Sequence, residues 1–297
     1  VSVAVVPAAG FGTRLRPLSD AIPKEMLPVG GRLAMERIVE ELAAAGVTRV
    51  VFVLSAAKEA FVQGRFGAGR DGVSFDYVLQ PEMRGLGDAV LRAQHAVPAG
   101  EPFVVALGDA VFEEPAPGAL TGRLVRRFAE TGASVALAVQ KVPRERISRY
   151  GVVKPAAAPA GTLPALGTDY LLISDIVEKP APDEAPSDLA AAARYVLTGD
   201  VFDVLRDTAP GKNGEVQLTD ALRNLLRRDD GRPGVAVPLA PDESRHDIGG
   251  LDSYYKAFVS FALADPEHGQ GLREHLSRLI AAGGAAERAE PAEAVVE

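Results

Sequence analysis

The strongest constraint on the fold is an alternation. Through the first 140 residues, short β-branched runs alternate with stretches of helical spacing. Ser2–Val6, Arg49–Leu54, Ser74–Leu79, Phe103–Leu107 and Ala133–Gln140 read as strands. Ala34–Ala45, Ala57–Phe66, Leu86–Ala96 and Leu120–Glu130 read as the helices between them. Strands joined through helices form right-handed βαβ units. The expected class is therefore α/β, with a Rossmann-like mixed, mostly parallel sheet flanked by helices. Ligands of such sheets sit beyond the carboxyl ends of the strands.

The pattern changes after Gln140. Tyr150–Lys154, Asp169–Glu178 and Ala192–Leu197 read as strands with no helix between them. Pro155–Pro164 is an Ala/Pro/Gly loop. Helical spacing returns at Asp200–Asp207 and Gln217–Arg228, and Val235–Leu239 reads as a further strand. Leu251–Ala264 and Gly271–Ala281 are amphipathic and pack on the outside. The Ala/Glu-biased stretch 282–297 has the composition of a disordered tail.

The first βα connection is far richer than a turn requires. Residues 5–30 read VVPAAGFGTRLRPLSDAIPKEMLPVG. Gly10 and Gly12 permit close backbone approach and positive φ, so consecutive N–H groups can form an anion-binding concavity. Arg14, Arg16 and Lys24 add cations to the same excursion, suited to a triphosphate. A glycine-rich turn with solvated basic residues would have the same composition. The segment lacks the Gly-Lys-Ser/Thr ending of a Walker A loop. It also carries Leu15 where the dinucleotide fingerprint needs its third glycine.

Composition limits the ligands. The net charge is −8, so local basic clusters are expected to serve small anions, with no nucleic-acid partner. The chain has no cysteine, which excludes disulfides and thiolate metal sites. No apolar run is long enough for a membrane span. Val1–Val6 is too short for the apolar core of a secretory leader, so a cytoplasmic protein with no membrane partner is the expectation.

Other stretches offer chemistry. Gln80, in YVLQPEMRGLGDAVLRA, has the donors and acceptors to read a pyrimidine edge, and Gly85 and Gly87 leave room for a base or ribose. Asp109 ends the apolar run FVVALGD, where a carboxylate can hold Mg²⁺ or merely cap a helix. Asp247, in RHDIGG, has the same two readings, and His246 reads as structural. Glu178 and Lys179 precede Pro180. Adjacent strand residues point to opposite faces, so both reach one ligand only if the strand ends or bends there.

Together, AAGFGTRLRP followed by IPKEMLPVG resembles the signature of the sugar-phosphate nucleotidylyltransferases, and PKEMLPV is closest to their bacterial uridylyl branch. YGVV, DIVEKP, ARYVL and GEVQLTDAL are similar to further stretches of that branch. The resemblance covers most of residues 3–264. It implies one nucleotidyltransferase domain over 1–264, with a nucleotide part near 1–140 and a sugar-phosphate part near 141–250. A C-terminal helix would occupy 265–281, followed by the tail.

The implied reaction is Mg²⁺-dependent transfer of UMP from UTP to glucose 1-phosphate, giving UDP-glucose and pyrophosphate. The resemblance places Ala8, Ala9, Gly10, Gly12, Thr13, Arg14, Gln80 and Gly85 at the nucleotide. It places Gly151, Glu178 and Lys179 at the sugar phosphate, and Asp109 and Asp247 at the metal. Arg14, Lys24, Asp109, Lys179 and Asp247 form the catalytic set. Glu215, Gln217 and Asp220 either line the sugar side or belong to a capped helix. A homodimer or homotetramer is also implied.

Three departures stand out: Gly31-Arg32-Leu33 replaces Asp-Lys-Pro, GAGRDG is a shortened insertion, and Ala193 stands where Gly commonly precedes Arg-Tyr. They leave open a thymidylyltransferase or an enzyme for a specialised sugar or cyclitol phosphate, with dTTP as an alternative to UTP. A non-catalytic nucleotide-sugar sensor is the alternative of a different class.

Overall fold

The computed structural model describes residues 1–156, 169–211, 214–228 and 230–287. Most of the loop expected at Pro155–Pro164 lies outside them, as do residues 288–297 of the expected tail. Among the described residues, a ten-stranded mixed sheet runs through the molecule. Its order is Gly151–Pro155, Leu171–Glu178, Gly234–Pro238, Val135–Lys141, Leu189–Leu197, Phe103–Ala106, Val3–Pro7, Arg49–Leu54, Val73–Leu79 and Gly69–Arg70.

The two ends of the sheet pair differently. Val3–Pro7 lies parallel to both Arg49–Leu54 and Phe103–Ala106, and Arg49–Leu54 lies parallel to Val73–Leu79. Leu189–Leu197 runs antiparallel to both neighbours, and Gly151–Pro155 and Leu171–Glu178 form an antiparallel pair. The expected strands without intervening helices supply this antiparallel end.

Burial on both faces explains the unbroken apolar runs of the parallel strands. Ala4 and Val6 pack on one side with Met35, Ile38, Leu120 and Leu124, from the helices Ala34–Ala44 and Ala119–Thr131. Val3 and Val5 pack on the other with Val90, Phe202 and Leu222, from the helices Leu86–Arg92, Val201–Asp207 and Leu218–Leu226. This alternation follows from the two-residue period of a strand. Phe103 and Phe202 stack with ring centroids 5.0 Å apart.

Two short strands not visible in the sequence pattern matter for function. Ala110–Glu113 pairs antiparallel with Ser244–Asp247, bringing Ala110 opposite Asp247. The final helix, Gly269–Glu287, continues beyond the expected end at Ala281. Among the described residues, no helix is long and apolar enough to cross a membrane.

Candidate active site

Four parallel strands end on the same edge of the sheet, and their exits carry the expected nucleotide residues. The loop after Pro7, Gln80 after Leu79, and Asp109 after Phe103–Ala106 surround a cavity of about 430 Å³. Ala8, Ala9, Gly10, Gly12, Thr13, Lys24, Gln80, Gly85 and Asp109 all line it.

The opening loop is held from below. Lys58 is only 7% exposed. Its Nζ donates to the carbonyls of Ala8 at 2.7 Å and Gly10 at 2.6 Å. It also meets both oxygens of Glu25, at 3.0 and 2.7 Å. With these carbonyls turned inward, the N–H groups from Ala9 to Arg14 donate to no described residue. They are the donors an anion would need. Gly12 adopts φ 67°, the left-handed turn that reverses the loop, and Ser19 Oγ donates to its carbonyl at 2.8 Å.

Sequence reasoning missed both Lys58 and Glu25. Lys58 sits in SAAKEAF, where a helical lysine normally faces solvent. Glu25 offered a signal, being a charge between buried positions in PKEML. Burial raises the Glu25 pKa despite Lys58 and Lys24, and burial lowers that of Lys58 despite Glu25.

Gln80 is buried, and its amide nitrogen donates to Gly85 O at 3.1 Å and Asp88 Oδ2 at 2.8 Å. This leaves its carbonyl oxygen as an acceptor for an imide N–H, the pattern of uracil or thymine. Gly85 and Gly87 have a packing reason beside the expected one. A Cβ at Gly85 would lie 2.7 Å from Val216 O, and one at Gly87 would lie 2.8 Å from the same atom. They let the helix entry dock on the 215–216 backbone, where Gly87 N donates to Val216 O at 2.8 Å. Through this docking Glu215 joins the cavity wall.

The carboxylates converge. Opposite pairing of Ala110 with Asp247 is extended by Ile248 N, which donates to Asp109 O at 2.9 Å. Asp109 and Asp247 are thus diagonal neighbours across the ladder. Lys24 Nζ binds Asp109 Oδ2 at 2.7 Å. Burial alone would raise the Asp109 pKa, but Lys24 outweighs it and holds the carboxyl below its usual range. Burial likewise opposes the charge on Lys24, but Asp109, Glu25 and Asp247 raise its pKa. Asp247 Oδ1 accepts from Gly249 N at 2.6 Å. Arg14 lies over Gly249, where its Nη2 is 2.8 Å from the position of an added Cβ. Arg14 therefore stands at the Asp247 side, outside the base cavity. His246 points the other way, to Glu113 at 3.1 Å and the ring of Phe261.

A buried scaffold supports the ladder. Arg194 is fully buried and makes a two-pronged pair with Glu41, at 2.6 and 2.7 Å. It also donates to the carbonyl of Ala110 at 3.0 Å, next to Asp109. Thr121 Oγ1 donates to Glu41 at 2.6 Å. The preceding Ala193 holds φ 62°, a left-handed conformation at one of the positions where the sequence departs from its expected pattern.

The expected acceptor residues meet at the antiparallel end. The strand ends at Glu178, and Lys179 follows with φ 44°, the bend that lets both side chains share one corner. Lys179 Nζ lies 3.1 Å from Glu178 Oε1. Gly151 completes the corner: a Cβ there would approach Thr219 Oγ1 to 3.0 Å and Glu178 Oε2 to 3.4 Å. Asp220 faces the same charge, and burial followed by Glu178 raises its pKa. Gln217 donates to Glu215 at 2.8 Å.

A mixed α/β sheet whose strand exits carry a glycine-rich loop, a buried amide and an acidic ladder has the make-up of a nucleotide-transferring enzyme. The chain belongs to the nucleotidyl transferase family, whose model matches residues 3–262. It is 33% identical to a UTP–glucose-1-phosphate uridylyltransferase of Streptococcus pyogenes over 94% of each chain. A UDP-glucose pyrophosphorylase complexed with UDP-glucose shares 30% identity and superimposes with a TM-score of 0.78, covering 89% of this chain and 100% of that one. The UTP-bound enzyme from Acinetobacter baumannii gives a TM-score of 0.80 at 28% identity, covering 94% and 99%.

Proposed function

We propose that this chain transfers the uridylyl group of UTP to glucose 1-phosphate, forming UDP-glucose and pyrophosphate. An oxygen of the sugar phosphate attacks the α-phosphorus of UTP. The bond from that phosphorus to the oxygen bridging to the β-phosphate breaks, and pyrophosphate carries away the electron pair. Among the described residues, the site has no nucleophile–base pair of the kind covalent catalysis needs. Its means are positioning and charge neutralisation. The observation that supports the reading is the ladder that sets Asp109 and Asp247 at neighbouring positions, where Lys24, in the wall of the base cavity, feels the charge of both.

The acidic pair fits a divalent cation. Asp109 is already ionised beside a positive charge, Lys24 at 2.7 Å. Among the described residues, no cluster of three or more His, Cys, Asp or Glu forms a self-sufficient metal site. A cation there would take its remaining ligands from phosphates and water, as Mg²⁺ does. Bound Mg²⁺ would neutralise charge on the two repelling phosphate groups. Asp109 and Asp247 would hold it, and Lys24 would turn from Asp109 toward the triphosphate.

The other groups divide the work. Gln80 accepts from the pyrimidine N–H, and the Ala9–Arg14 N–H groups bind phosphate oxygens. Arg14 stabilises the departing pyrophosphate. Glu178 accepts from sugar hydroxyls, and Lys179 faces the sugar phosphate. The Gln80 acceptor supports a uracil or thymine base over adenine, and the names of the relatives support UTP over dTTP and glucose 1-phosphate over other acceptors. Assembly as a homodimer or homotetramer and a cytoplasmic location belong to the same proposal.

Pyrophosphate release from a panel of UTP, dTTP and ATP with several sugar and cyclitol phosphates tests it. UTP with glucose 1-phosphate should give the highest kcat/KM by about tenfold or more. A higher value for another pair would overturn the substrate assignment. Binding without release from any pair would instead identify a sensor.

A further inference from the structure

Arg245 opens the RHDIGG stretch, of which the sequence reading took up only His246 and Asp247, yet it is a buried cation on the acidic ladder. It lies on the strand Ser244–Asp247, two residues before Asp247, so the two share a face of the ladder. Its side chain is 8% exposed, and its nearest carboxylate oxygen, Asp247 Oδ2, is 4.0 Å away. Its Nε is fully buried and has no hydrogen-bond partner among the described residues. The guanidinium rests 5.3 Å from the ring centre of Tyr150, the residue before Gly151. Its field reaches Asp109 on one side and Tyr195 on the other.

Arg14, Lys141, Arg146 and Arg149 line the same cleft but are exposed to water, and the remaining cations of the region are committed. Arg194 is spent on Glu41, Lys58 on Glu25 and the loop carbonyls, and Lys24 on Asp109. Lys179 is 56% exposed and already touches Glu178. A buried guanidinium with idle donors is costly unless an anion completes it. A phosphate monoester matches its planar fork.

We infer that Arg245 binds the 1-phosphate of the acceptor sugar and orients it for attack on the α-phosphorus. This rests on the uridylyl-transfer reading and assigns the nucleophile its principal cation. The sugar phosphate is favoured over the triphosphate by position. Arg245 stands on Tyr150, next to Gly151 of the acceptor corner, whereas Lys24 lines the cavity beside the opening loop. Arg245, Arg14 and Asp247 all line one cleft of about 690 Å³, so the two phosphates would enter it from opposite sides.

The test uses R245Q and R245K in the full chain. R245Q should raise the KM for glucose 1-phosphate about 30-fold and weaken its directly titrated affinity in parallel. The Kd for UTP with Mg²⁺ and the KM for pyrophosphate in the reverse reaction should stay within about threefold. R245K keeps charge without the fork and should show the same split at about fivefold, which decides the matter if R245Q fails to fold. An unchanged response to glucose 1-phosphate in the folded variant overturns the assignment. An equal loss for UTP or pyrophosphate also overturns it and moves Arg245 to the nucleotide phosphates. Wild-type protein that releases no pyrophosphate, yet loses glucose 1-phosphate binding in R245Q, would sink the uridylyl-transfer reading and leave the Arg245 contact standing.

Discussion

The two ends of the cleft are made of different material. At the nucleotide end, parallel strands stop on one edge and the main chain itself supplies the donors, pinned by Lys58. At the acceptor end, antiparallel strands and the start of the helix Leu218–Leu226 bring side chains together from Tyr150, Glu178, Thr219 and Arg245. A site built from backbone leaves a contiguous motif, because glycines and their neighbours must be adjacent. A site built from side chains leaves scattered single residues whose meeting depends on topology.

The difference predicts separable failures. Lys58→Met should have the largest effect. It strands Glu25 without its main cation and frees the Ala8 and Gly10 carbonyls to turn into the cavity. The Kd for UTP should weaken about 100-fold, while glucose 1-phosphate affinity changes by less than about threefold. Calorimetric titration of each substrate measures both. Equal losses at both ends would break the comparison.

Glu178→Gln should do the reverse, raising the KM for glucose 1-phosphate about tenfold. The Kd for UTP should stay unchanged. Steady-state kinetics with each substrate varied reads the split, and a shared loss would mean that the corner supports the whole site.

This contrast also explains what the sequence reveals. The element order, the opening loop, Gln80 and Asp109 were legible because periodicity and glycine placement are local. The meeting of Asp109 with Asp247 came only through resemblance. RHDIGG reads as a helix entry, and nothing local signals that Ser244–Asp247 pairs with Ala110–Glu113. Lys58 and Arg245 were illegible for a related reason. A lysine in a weakly amphipathic helix and an arginine beside a histidine look like solvated surface, and only the packed fold removes them from water.

Two smaller effects probe the scaffold under the ladder. Burial, then Glu41, pushes the Glu114 pKa up to about 7. Its unfolded-state value lies near 4.3, so the unfolded chain releases this proton first as pH rises. Glu114 therefore subtracts stability progressively from about pH 4.5 to about pH 7 and fully above that. Glu114→Gln, which can still accept from Leu120 N, should gain about 1–2 kcal/mol at pH 8 and almost nothing at pH 4. Denaturant unfolding at both pH values checks this, and an equal gain at each would remove the titration from the account.

Ala193→Gly should give the smallest change. Glycine relieves the left-handed conformation at φ 62° but gains unfolded-state entropy. A net stabilisation of about 0.5–1 kcal/mol is expected, with both substrate affinities unchanged. A loss of stability in denaturant unfolding would contradict the strain.

The central claim is that both ends of the cleft share one divalent ion at the acidic ladder. Titration of Mn²⁺ by electron paramagnetic resonance, with UDP-glucose saturating, tests it most directly. Wild-type protein should bind one ion. Asp109→Asn and Asp247→Asn should each weaken that binding about tenfold or more, with UDP-glucose still bound. Wild-type Mn²⁺ affinity in either variant would contradict the claim.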